Sequence, residues 1–160
     1  MHPNAALIER FYTAFQARDA EGMRSVYADD NVFSDPVFGE LHGPQVGAMW
    51  AMLCGRSKDL SLNFTGVQAD DERGRARWDA RYTFTQTGRK VHNIIHAHFE
   101  FRDGRIVRHR DSFSFWRWAR QALGPAGLLL GWTPVIRARV RLKACDSLTT
   151  YMQKKAAPPA

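Results

Sequence analysis

The chain has 160 residues, 44% hydrophobic and 24% charged, enough for one globular domain with a buried core. Its longest apolar run, GLLLGW at 127–132, is too short to span a bilayer, and the opening MHPNAALIER has no basic stretch before an apolar one, so no secretion signal is expected. The net charge of +7 lies entirely in the last quarter: residues 1–116 hold 15 basic against 15 acidic side chains, and residues 117–160 hold eight basic against Asp146 alone, so a nucleic-acid partner for the neutral body is not expected.

Residues 5–18 place Leu7, Ile8, Phe11, Tyr12 and Phe15 at helical spacing. Asp19 is a fitting cap for a second helix over 20–27, which ADDN then ends. A short strand, VFSD at 32–35, leads into a loop punctuated by Pro36, Gly39, Gly43 and Pro44. A third helix over 44–55 carries Val46, Met49, Trp50 and Leu53. The period then changes to two. LSLNF (60–64), RARWDARYTFTQ (75–86), RKVHNIIHAHFEF (89–101) and RIVRHRDSFSFW (105–116) read as four antiparallel strands, with turns at Thr87–Gly88 and Asp103–Gly104. After Trp116 the pattern becomes helical again. A turn or two is expected over 117–124, an apolar Gly-rich link over 125–132, a last helix capped by Thr133 with Pro134 at its first position, and a frayed end at 153–160. The fold class is therefore α+β: residues 1–116 form the domain and residues 117–160 a basic, partly apolar helical extension.

Tyr27-Ala28-Asp29-Asp30, a strand ending in Asp35-Pro36 and Gly39, and the order of three helices before four antiparallel strands resemble the nuclear transport factor 2-like superfamily over residues 5–116. The nearest echo is its ketosteroid isomerase branch. SnoaL-like polyketide cyclases and limonene-type epoxide hydrolases share the architecture, so the resemblance fixes no reaction. It implies a cone-shaped barrel, a strongly curved antiparallel sheet wrapped on the helices around an internal pocket. It puts Asp35 at the place of the isomerase's general base. Phe11 stands where those isomerases carry a hydroxyl donor to the oxyanion, and Ala97 where they carry a protonated acid. It also implies a homodimer through the outer face of the sheet.

Strand alternation says what fills the pocket. Val107, His109, Asp111, Phe113 and Phe115 share one face of the last strand; Val91, Asn93, Ile95, Ala97 and Phe99 face inward on the one before; Trp78, Tyr82 and Phe84 line the next. With Phe11, Tyr12, Phe15 and Trp50 from the helices, these make an aromatic chamber whose polar groups are Asp35, Asn93, His109 and Asp111. Asp35 is read either as a turn residue before proline or as a base held in apolar company. His109 with Asp111 is either a structural ion pair or an acid–base pair. Asn93 is either a satisfied interior amide or a ligand donor. The expected ligand is a small hydrophobic molecule; the function is isomerisation, cyclisation or epoxide opening without a cofactor, or alternatively non-catalytic carriage or a dimeric interaction module.

His92, His96 and His98 share a strand face with Glu100, but that is the face opposite the pocket, and no metal is expected there. Trp116 and Trp118 beside Arg117 and Arg120 are expected to pack the tail rather than stack on bases. Cys54 and Cys145 lack the close partner of a zinc or redox motif, so a reducing, cytoplasmic setting is expected. Three readings of the extension stand open: a lid on the cone, a contact with an anionic membrane surface, or part of a dimer interface.

Overall fold

The structure, a computed structural model, describes residues 1–56 and 58–157. The first helical period becomes α1 (Pro3–Gln16), capped by His2, whose Nδ1 accepts the Asn4 N–H at 3.1 Å. It buries Leu7, Ile8, Phe11, Tyr12 and Phe15. In α2 (Ala20–Ser25), Asp19 is the cap and accepts the Gly22 N–H. This helix stops short of its predicted end. Tyr27 instead opens β1 (Tyr27–Asp35), because it pairs with Ile106 far along the chain, whose N–H donates to the Val26 carbonyl. Long-range pairing overrides local helical spacing here. The expected loop after Asp35 also contains a strand, β2 (Gly39–His42), which returns antiparallel to β1. Next comes α3 (Pro44–Arg56), which buries Val46, Met49 and Trp50.

The four predicted strands are present as β3 (Ser61–Ala69), β4 (Arg73–Phe84), β5 (Arg89–Arg102) and β6 (Arg105–Ser112). They form an open six-stranded sheet in the order β2-β1-β6-β5-β4-β3. The sheet is not wholly antiparallel, since β1 lies parallel to β6. Nearly the whole domain serves as the crossover that a parallel pair requires. Alternation is clean on β5, where Val91, Asn93, Ile95, Ala97, Phe99 and Phe101 are buried and His96, His98 and Glu100 are exposed.

On β6 the alternation slips. Glu100 pairs with Arg108 but Phe101 pairs with Ile106, so Val107 is the extra residue of a bulge. Ile106 faces the core in place of Val107, while His109 and Asp111 point inward as the alternation predicts.

The extension forms α4 (Phe115–Leu123), α5 (Pro125–Leu130) and α6 (Pro134–Ala156), so 125–130 is helical rather than a plain link. Thr133 caps α6 with Pro134 first, as expected. The helix runs four residues past Met152; 158–160 of the expected frayed end lie outside the described residues. It packs on α3 and buries Leu148. Among the described residues no helix is long and apolar enough to cross a membrane.

Candidate functional site

A cavity of about 220 Å³ opens between the concave sheet face, α1, α3 and α6. Of the residues expected to line a pocket, Phe15, Trp50, Trp78, Tyr82, Phe84, Asn93, Ile95 and Phe113 do so, together with Asp35 and Asp111. Phe11 and Tyr12 do not; they are fully buried behind the wall. Their helix turns them toward the packed base of the cone, where Phe11 meets the ring of Trp50 edge-on and Tyr12 stacks on Phe64. His109 is fully buried and reaches the cavity through Asp111 rather than directly.

Asp35 combines its two readings. Its Oδ1 accepts the backbone N–H of Val37 at 2.9 Å and of Phe38 at 2.6 Å, which builds the turn into β2. No hydrogen bond to Oδ2 occurs among the described residues, and the side chain lines the cavity beside Val37 and Phe38. Burial is the main cause that pushes its carboxyl up to about 7, and the charge of Asp111 adds to it. The two N–H donors and the more distant Arg141 pull the other way.

A hydrogen-bond chain runs through the base of the cone. The Trp50 indole N–H donates to the Tyr27 hydroxyl at 3.1 Å. Tyr27 Oη lies 2.6 Å from His109 Nδ1, and His109 Nε2 lies 2.9 Å from Asp111 Oδ1. The direction follows from donor chemistry. A carboxylate can only accept, so Nε2 of the neutral imidazole is assigned the proton; Nδ1 is then an acceptor, and the Tyr27 hydroxyl, which accepts from the indole, donates to it. The rings of Phe33, Phe99 and Trp50 enclose the imidazole, with the Phe99 centroid at 4.4 Å. A buried imidazole and carboxylate are tolerable in such a cage because each has a partner.

Two further groups can meet a ligand. Trp118 donates its indole N–H to the Tyr82 hydroxyl at 2.8 Å, so the Tyr82 proton remains available to the cavity. Asn93 makes no side-chain hydrogen bond among the described residues, which favours the ligand-donor reading over the satisfied amide. Trp78 Nε1 is buried with no partner among them.

Sequence reasoning missed Trp118 as a wall residue, and it missed Ala144 and Ser147 of α6. The pattern of α6 carries no clean apolar stripe, and Ala144 and Ser147 are too small to give a local signal. The helix contributes Ala144 and Ser147 to the cavity wall. Cys145 approaches the Phe38 carbonyl at 3.4 Å, and the Arg141 side chain lies against Gly39. Ile136, Arg139, Val140 and Lys143 of the same helix line a neighbouring hollow of about 260 Å³. It shares Val37, Phe84, Gln86, Trp118 and Ala144 with the first. The apolar chamber thus adjoins a cationic rim.

His96 and His98 are exposed on the outer sheet face, and His92 is half-buried there, 3.9 Å from Asp79. No group of three His, Cys, Asp or Glu side chains among the described residues is placed to hold a metal ion.

Residues 8–109 match the model of the SnoaL-like domain family. Among solved structures, an LEH-like epoxide hydrolase of M. tuberculosis is similar at 20% identity, covering 80% of this chain and 96% of that one, with a TM-score of 0.64. A putative polyketide cyclase of Xanthomonas campestris is 21% identical over 74% of this chain and 96% of its own, with a TM-score of 0.63. A Catenulispora acidiphila protein with a ketosteroid isomerase-like fold is 15% identical over 80% and 97%, with a TM-score of 0.66. At such identities the likeness is one of fold. No curated protein matches the chain closely in sequence.

Proposed function

Because the chain belongs to the SnoaL-like domain family, we propose from that premise that it is an acid–base catalyst acting on a small hydrophobic molecule by isomerisation, cyclisation or epoxide opening. The observation that carries the proposal is Asp35. One of its oxygens is fixed by two backbone donors, the other is free in an apolar cavity, and its carboxyl is raised to about 7. A base works best when its pKa lies near the working pH. Asp35 takes the proton from the substrate or from an attacking water. Asp111, held by His109, faces the same cavity and handles the second proton transfer. Tyr82 and Asn93 orient the polar end of the ligand. A second copy docks on the outer sheet face that carries His96 and His98.

One observation favours a second reading, a non-catalytic carrier. Phe11 and Ala97, fully buried, offer no donor at the two places where the isomerases stabilise an enolate. Turnover separates the two readings. Wild type and Asp35→Asn are assayed on a panel of hydrophobic epoxides and ketones, with exchange of solvent deuterium into the ketones as a second readout. The catalytic reading expects turnover or exchange that falls about 10²–10⁴-fold in Asp35→Asn. Ligand binding with equal, negligible turnover by both proteins establishes the carrier.

A further inference from the structure

We propose that the corner formed by α5 and the start of α6 docks on an anionic membrane surface. Every large hydrophobic side chain exposed among the described residues, apart from Met1, lies between Trp116 and Leu142. At the centre, Leu128, Leu129 and Leu130 are 52, 68 and 49% exposed, and Trp132 is 69% exposed. Their exposure is built in. α5 turns its glycines, not its leucines, toward α4: a Cβ on Gly127 would strike the Ala119 carbonyl, and one on Gly131 would meet the Ala119 methyl at 2.8 Å. The close backbone approach leaves the three leucines outside.

The last carbonyls of α5 are already satisfied. A helix C-terminus normally leaves carbonyls for water. Here the Leu128 carbonyl accepts from the Trp116 indole at 3.2 Å, Leu129 from the Trp132 indole at 2.9 Å, and Leu130 from the Thr133 hydroxyl at 2.6 Å. The end of α5 can therefore leave water without stranding these three carbonyls, as the edge of a hydrocarbon layer favours. Arg120 lies over the Trp116 ring at 4.7 Å and Arg137 over Phe115 at 5.3 Å, so cations flank the apolar tip.

Charge selects the occupant. The segment 117–160 has eight basic side chains against one acidic, so two copies meeting through this corner would repel. A layer of anionic headgroups over acyl chains is complementary to both its charge and its leucine and tryptophan side chains.

The test is sedimentation of the full chain with phosphatidylcholine vesicles, with and without phosphatidylserine. Binding is expected only to the anionic vesicles and is expected to fall with added salt. Arg120→Gln with Arg137→Gln is expected to weaken it about 30-fold, at about fivefold per charge. Leu129→Ser with Trp132→Ser is expected to weaken it at least about tenfold. Circular dichroism melting confirms that both variants fold. The proposal is overturned if the folded wild type ignores anionic vesicles, or if both folded variants bind them like wild type. It is equally overturned if the apolar variant abolishes only self-association, or only binding to an acidic polypeptide.

Discussion

Asp111 stands directly across from Ala97 on the neighbouring strand. Ala97 occupies the place where the resemblance to ketosteroid isomerases puts a carboxylic acid. The register shows a carboxylate one strand away on the same sheet face, held by His109 at 2.9 Å. The role of Asp111 divides into two measurable parts. Asp111→Ala strips the buried His109 Nε2–H of its acceptor and is expected to cost about 1–3 kcal/mol. Asp111→Asn keeps an acceptor oxygen and is expected to stay within about 1 kcal/mol of wild type while losing the proton-transfer function. Urea denaturation measures the first part and turnover the second.

Tyr27 joins Trp50 to His109. Tyr27→Phe leaves a buried indole N–H and a buried imidazole nitrogen without partners at once. A loss of about 2–4 kcal/mol is expected, larger than for an ordinary buried hydroxyl. The urea midpoint should fall while the slope of the transition stays the same.

The Asp35 carboxyl also predicts how stability depends on pH. Its folded value, about 7, lies above the ordinary value of 3.8. Between those limits the folded chain holds a proton that the unfolded chain has lost, so stability falls as pH rises from about 4 to 7 and levels off above. The full span is of order 4 kcal/mol, at about 1.4 kcal/mol per pKa unit. Asp35→Asn keeps the turn acceptor and removes the titration. It is expected to melt higher than wild type at pH 8 and to show a flatter profile; a profile parallel to wild type would contradict this.

Ala144 of α6 lines both hollows. Ala144→Phe is expected to fill space where the ligand sits and to weaken binding of a hydrophobic probe such as anilinonaphthalene sulfonate by about tenfold or more, without unfolding the chain. Unchanged probe affinity in a folded variant would show that α6 does not close the chamber.

Much of this architecture was legible in the residues. The alternation of Trp78, Tyr82, Asn93 and Ile95 placed them on the cavity face, because a one-sided core forces period two on a strand. Asp35 stood out because carboxylates are rare among Phe33, Val37 and Phe38. What stayed hidden depends on distant partners. Tyr27 looked like the end of a helix until Ile106 paired with it, and its bond to His109 spans 82 positions. The bulge at Val107 leaves no local signature. Ala144 and Ser147 are too small to mark a binding face, and they matter only because α6 packs on α3 and brings them to the cavity wall.

The central claim is that Asp35 is a base poised in an apolar cavity, and its own titration tests that most directly. In ¹³C spectra of aspartate-labelled protein, with Asp35→Asn assigning the resonance, the account predicts a midpoint near 7. A midpoint near 4, the ordinary carboxylate range of about 3.9, would contradict it.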